Sequence, residues 1–325
     1  MTTKDRAERI ILISLMKSGT HLITELLVAL GYRLHGHVRV RPETKPILDQ
    51  DTRWRMARMV YDDEVLADLK TLDEDAFTAA TDEAWAALAW AWKLRLGMPL
   101  VNQYSTELIN RDLVRQALHR TAGSSYTEMP ANQCMVLHEL DVRNVDGAFL
   151  NEWADTGEPR VIFHYRDPRD VLLSMVNFAS GQTKGGLSAI NNLRAFRSIL
   201  RAKPTLEERL TYALTDESFP CQARDYKRML WLLHHPNVYT TTYEDLVGPN
   251  GGGSAEAQLR SAQGLLDFLG VPGRSAADAV GSLYNRDAFT FFKGQIGGHR
   301  EVFTEEHHRI SRDRFGEVLR LYGYE

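Results

Sequence analysis

Cysteine is scarce in this chain: among 325 residues only Cys134 and Cys221 carry thiols. Two are too few for a disulfide framework or a zinc ribbon, and they read as buried or idle thiols in a reducing, cytoplasmic compartment. Long apolar runs are lacking as well. After the polar stretch Met1 to Arg9 the apolar run extends only from Ile10 to Leu15, too short for a signal-peptide core or a membrane helix. Ala84 to Trp92 is also too short to span a bilayer. Positive charge is not in excess: a net charge of −4 gives no support for a nucleic-acid surface. Clustered metal ligands are missing too, since His307-His308, His234-His235 and His35-Gly36-His37 each lack a third ligand at useful spacing, and no metal is expected. What remains, 43% hydrophobic and 25% charged residues, suits a globular protein with a sizeable core. Such a protein binds a small anion with a local cluster of cations and backbone N–H groups.

Ile10-Ile11-Leu12-Ile13-Ser14-Leu15 reads as a short buried strand. From Thr20 the pattern turns helical, with Leu22, Ile23, Leu26, Leu27 and Leu30 at spacings of one, three and four, and Gly31 placed for a left-handed cap. Strand, Gly-containing turn and helix open a parallel α/β sheet. Further strands are expected at Cys134–Leu137, Val161–Tyr165 and Val238–Tyr243. The region from about Pro46 to Arg120 reads mostly as helix, with Trp54, Trp85, Trp90 and Trp92 packing against the sheet. Ser180 to Gly186 looks like a mobile loop and Gly248 to Gly253 like a flexible insertion. The expected architecture is a three-layer α/β fold of one domain, residues 1–325, with a central parallel sheet, helices on both faces, a P-loop-like phosphate loop and a helical insertion at about 46–120.

Two motifs carry chemistry. Met16-Lys17-Ser18-Gly19-Thr20-His21 joins strand to helix, where backbone N–H groups and the positive end of the helix dipole attract anions, and Lys17 adds a full charge. A nucleotide triphosphate loop needs Gly directly before the Lys and another five residues earlier; Met16 and Ile11 stand there, so that pattern fails. The second motif is Arg166-Asp167-Pro168-Arg169-Asp170 through Ser174. Asp167 suits the N-cap, Pro168 the first helical position, and Asp170 a capping-box-like start. Arg166 then ends a strand at the edge where open α/β sheets bind ligands, and with Ser174 it can hold a phosphate.

Together these motifs resemble the cytosolic-type family of sulfotransferases that use 3′-phosphoadenosine 5′-phosphosulfate (PAPS). The family's 5′-phosphosulfate loop Pro-Lys-Ser-Gly-Thr-Thr-Trp is matched by Met16 to Leu22, and its Arg and Ser eight positions apart by Arg166 and Ser174. Tyr243 looks like the tyrosine that contacts adenine, and Phe292-Lys293-Gly294-Gln295-Ile296-Gly297-Gly298 is similar to the Arg-Lys-Gly-x-x-Gly-Asp-Trp segment over the 3′ phosphate. The resemblance runs from residue 10 to the C-terminus. It implies a PAPS donor and a PAP product held by Lys17, Ser18, Gly19, Thr20, His21, Arg166, Ser174, Tyr243, Lys293 and Gly294, with Lys17 also catalytic. It departs at His21, Leu22, Phe292 and Gly298-His299, so the adenine is held without the family's Trp.

For the catalytic base the resemblance points to His138, which follows a short strand in Val136-Leu137-His138-Glu139-Leu140 but lacks the family's neighbouring Lys. Glu139, Glu128 and His21 compete for that role. The reaction implied is in-line transfer of a sulfuryl group to a hydroxyl or amine of a small-molecule acceptor. Two other readings stay open: a phosphoryl transferase with a P-loop-like fold, and a non-catalytic binder of PAP or PAPS. The acceptor and the oligomeric state, a homodimer included, are not legible here.

Overall fold

The computed structural model describes residues 6–35, 47–98, 110–181, 191–281, 283 and 294–325. In chain order the elements are β1 (Arg9–Ser14), α1 (Thr20–Ala29), β2 (Arg33–His35), α2 (Gln50–Val60), α3 (Asp63–Leu69), α4 (Glu74–Arg95) and α5 (Arg111–Arg120). Then follow β3 (Gln133–Leu137), α6 (Gly147–Thr156), β4 (Arg160–Tyr165), α7 (Pro168–Ala179), α8 (Asn191–Arg201), α9 (Leu206–Thr215) and α10 (Ala223–Lys227). Last come β5 (Val238–Thr242), α11 (Tyr243–Leu246), α12 (Ala255–Leu269), α13 (Ala276–Val280) and α14 (Glu305–Leu321).

Among the described residues the strands form one five-stranded sheet in the order β2-β3-β1-β4-β5, parallel throughout. β1 lies at its centre, which is why its sequence is apolar without alternation: both faces are covered. Ile10 and Leu12 pack with α1, α11 and α12, whereas Ile11 and Ile13 pack with α2, α4, α5 and α6 on the other face. A third cluster joins α7, α8, α9 and α14. The fold is thus three-layered α/β, with helices on both faces of a parallel sheet and a P-loop-like turn after β1.

The strand order decides where a ligand fits. From β1 the chain crosses to β2 at one edge, and from β4 to β5 at the other, so the crossovers diverge between β1 and β4. A crevice opens at the carboxyl ends of such a pair. Both chemical motifs follow these two strands.

Some local expectations need correction. The run expected as a strand through Tyr243 stops at Thr242, because the Thr242 side chain accepts a hydrogen bond from the Asp245 amide (3.0 Å) and caps α11 instead. β2, a three-residue edge strand, is an addition. The glycine-rich segment at 248–253 is a built turn, not a flexible insertion: Gly253 N donates to Gly248 O at 2.8 Å and Gly251 O accepts from Ile296 N at 3.0 Å. A Cβ on Gly251 would lie 2.7 Å from Gly294 O, so the glycine permits this close approach. The loop expected beyond Gly181, through Gly186, lies outside the described residues. No helix among the described residues is long and apolar enough to cross a membrane.

Candidate functional site

The turn after β1 is shaped for an anion by its backbone. Lys17 has φ of +70° and Gly19 of +91°, so two left-handed residues flank Ser18, whose amide donates to Leu15 O at 3.1 Å. Only Gly fits at the second of these, since a Cβ on Gly19 would collide with the Tyr243 ring. Helix α1 starts at Thr20 with Gly19 as its N-cap, without a side-chain hydrogen bond to its first amides and without an acidic residue in its first turn. Helices α2, α3, α4 and α5 differ: Asp49, Asp62, Asp73 and Asn110 each cap them through an amide hydrogen bond. The Leu22 amide donates to Gly19 O at 2.8 Å, so the turn is closed by backbone and not by a capping side chain.

Side chains complete the loop. Ser14 and Thr20 hydroxyls lie 3.0 Å apart and tie strand end to helix start. Ser18 Oγ is buried and has no hydrogen-bond partner among the described residues. The Lys17 ammonium sits 4.5 Å from the centroid of the Phe178 ring. Burial, and then the neighbouring Arg166 charge, lower Lys17 to about 8, with Cys221 opposing. His21 stands half-buried in the first turn, its carbonyl accepting from Thr24 Oγ1 at 3.0 Å.

Arg166 is brought to the same place by β4. Its guanidinium lies 4.1 Å from the centroid of Tyr243, the ring that also packs on Gly19, so Tyr243 is a shared wall between the two motifs. Arg166 Nη2 donates to Gln295 O at 2.7 Å and approaches Asp170 Oδ2 at 3.4 Å, while its buried Nε has no partner among the described residues. Ser174 is half-buried on α7, one turn beyond Asp170. Tyr243 Oη donates to Gly294 O at 2.8 Å, which brings Gly294 to this wall. Lys293 lies outside the described residues.

Asp170 does not complete a capping box. Asp167 caps α7 by accepting from Arg169 N at 2.9 Å, which frees the Asp170 carboxylate for a distant segment. It accepts from Gly297 N (2.7 Å), His299 N (2.9 Å) and His299 Nδ1 (2.8 Å). Burial alone would raise Asp170, but the His299 hydrogen bond and the Arg166 charge hold it down at about 2. This carboxylate fastens residues 294–301 over Arg166.

His138 follows β3 directly, and its Nδ1 lies 2.9 Å from Ser14 O. A carbonyl only accepts, so that contact makes Nδ1 a protonated nitrogen of the ring. Among its competitors, Glu139 is half-buried and raised by burial and by Asp225. Glu128 is exposed at the opposite, amino edge of the sheet, where it closes a capping box with Ser125.

His164 is a site residue that the motifs left unmentioned. It pairs with Ser14 in the sheet register and is fully buried beneath the loop, its Nε2 3.4 Å from where a Cβ on Gly19 would stand. Neither ring nitrogen makes a hydrogen bond of ordinary geometry among the described residues, although the Ser18 backbone lies near enough to favour protonation. Burial wins and lowers His164 to about 3, so the ring is neutral. The signal was present in the period-two alternation of a strand, which puts residues 164 and 166 on one side. Among the described residues no three His, Cys, Asp or Glu side chains are grouped to hold a metal ion.

Comparison with known proteins supplies a fold. No family model matches the sequence, and no curated protein matches it. Mouse sulfotransferase SULT7A1, solved in complex with PAP, matches with a TM-score of 0.51 and 14% identity, over 98% of this chain and 90% of that one. This is the sulfotransferase fold. Retinol dehydratase with retinol and PAP matches at 0.45 and 17% identity, over 98% of this chain and 82% of that one. The same enzyme with androsterone and inactive cofactor PAP gives 0.43 and 16%, with the same coverage. In this sulfotransferase fold the loop at Lys17 and the strand end at Arg166 flank the crevice between β1 and β4.

Proposed function

We propose that this chain is a PAPS-dependent sulfotransferase acting on a hydroxyl or amine of a small-molecule acceptor. The observation that carries the reading is the pair of anion sites sharing Tyr243 as a wall: the left-handed loop at Lys17 and Gly19, and the Arg166 guanidinium. Each holds a buried polar atom without a partner among the described residues, Ser18 Oγ and Arg166 Nε. Phosphate oxygens are the acceptors such atoms want, and leaving them unmet costs about 1–3 kcal/mol each. A nucleotide with phosphates at both 5′ and 3′ positions suits this donor set.

In this reading Lys17, the loop amides, Ser18 and Thr20 hold the 5′ phosphate, and His21 lies at its rim. Arg166, Ser174, Gly294 and Lys293 hold the 3′ phosphate, with Tyr243 beside the nucleotide. When bound, PAPS supplies an activated sulfuryl group on a mixed anhydride. His138 Nε2 takes the acceptor proton as the new S–O bond forms, and Lys17 stabilises the charge on the departing phosphate. Residues 1–325 act as a single domain, with the helices of about 46–120 forming the acceptor side.

The test follows transfer of labelled sulfate from PAPS to a panel of phenols, alcohols and amines, with and without a chelator. The expected result is chelator-resistant transfer that falls about 100-fold or more in kcat/KM on Lys17→Ala. Chelator-sensitive phosphoryl transfer would favour the phosphotransferase alternative, and PAP binding without any transfer would favour a non-catalytic binder.

A further inference from the structure

An ammonium taken out of water needs something in place of the lone pairs it loses. At Lys17 one such replacement is the face of Phe178, whose ring centroid lies 4.5 Å from the nitrogen, well inside the range of cation–π attraction. The ring is fixed by its surroundings. Phe178 is 5% exposed and belongs to the cluster that joins α7, α8, α9 and α14, against which Met16 also packs. Cys221 Sγ donates to Met16 O at 3.6 Å, so the backbone just before Lys17 is tied to the same cluster. Ammonium and ring are thereby brought together from two elements, the loop after β1 and the end of α7.

The place of Phe178 on α7 gives the contact a meaning. Asp170, Ser174 and Phe178 follow one another at intervals of four and line one stripe of the helix. Asp170 meets Arg166 at one end of the stripe, and Phe178 meets Lys17 at the other, about 12 Å along the axis. One helix thus touches both anion sites.

Influences on the Lys17 charge pull in opposite directions. Burial is the largest and lowers it to about 8; Arg166, from β4, disfavours the charge further, and Cys221, from the connection between α9 and α10, favours it. An electron-rich ring face adds to the favourable side. A carboxylate in the same place would stabilise the ammonium more, but it would compete with a phosphate for it. A ring carries no net charge and does not compete.

We propose that Phe178 is a positioning residue for Lys17, its ring face keeping the buried ammonium charged and aligned for a phosphate without competing for it. That the phosphate belongs to PAPS rests on the sulfotransferase reading; the hold of the ring on the ammonium does not. The experiment weakens the ring face while leaving its shape alone. Phenylalanines with one, two or three ring fluorines are placed at position 178 of the full chain, each fluorine withdrawing electron density from the face at nearly constant size. Titration of Lys17 is followed without nucleotide by ¹³C NMR at its Cε, the signal being identified by its loss in Lys17→Arg. The midpoint should fall stepwise with fluorination, reaching about 0.5 to 1 pH unit below the unmodified chain with three fluorines. PAP affinity should follow the charged fraction, about three- to eightfold weaker at pH 8.5 and unchanged at pH 6. A midpoint that ignores fluorination or rises with it would overturn the proposal, and so would PAP affinity that is the same across the series at both pH values. A stepwise midpoint with no PAP binding in any chain would support the hold on Lys17 and count against the sulfotransferase reading alone.

Discussion

At His138 the contact with Ser14 O engages Nδ1, and the proposed role of this ring as base can be tested separately from the proposed phosphate grip. His138→Ala is expected to lower kcat/KM for transfer by about 10²- to 10⁴-fold, the usual weight of a general base, with PAP affinity unchanged. Undiminished turnover in steady-state assays would move the role to Glu139 or His21. Single residues were unevenly legible. Lys17, Ser18, Gly19 and Thr20 are contiguous, and a turn between strand and helix announces its chemistry locally. The Arg166–Tyr243 stack was not readable in that way, because it depends on strands adjacent in space but distant in sequence.

Among elements, the segment 294–301 depends on α7 through one carboxylate. Asp170→Asn would place an amide N–H against the Gly297 or His299 donors that the carboxylate now satisfies. Amide exchange at Gly297 and His299, followed by deuterium uptake, is expected to speed up about 10- to 100-fold, matching the loss of a charge-assisted hydrogen bond. Unchanged exchange would mean that Gln295 and Ile296 hold the segment through the 248–253 turn by themselves. The sequence suggested a capping role for Asp170, since position fits and its true partners lie 127 to 129 residues away. The same non-local cause hid the order in the glycine-rich turn, whose rigidity comes from docking against residues 294–296. Edge strand β2 is too short for a periodic signal. Central β1, with both faces covered, could be read directly.

For the whole molecule, two buried imidazoles set an acid limit on stability. His164 is lowered to about 3 and His35 to about 4, against 6.5 when unfolded. Below pH 6.5 the unfolded chain binds protons that the folded chain refuses, so stability is full above that value and falls as pH drops. The slope is about 1.4 kcal/mol per pH unit for each group until its folded value is reached. Urea midpoints should therefore fall steadily from pH 7 to pH 4, and a flat profile would show that these rings are not buried as described. Architecture was the most legible level, since alternating strands and helices with a loop after β1 dictate a parallel sheet and a crevice at its carboxyl edge. The central claim is a grip on two phosphates, and a calorimetric titration of PAP against adenosine 5′-monophosphate tests it most directly. PAP should bind at least about 100-fold tighter, two charge-assisted hydrogen bonds' worth, and Arg166→Ala should erase most of that difference. Equal affinity for the two nucleotides, or no affinity for either, would contradict the account.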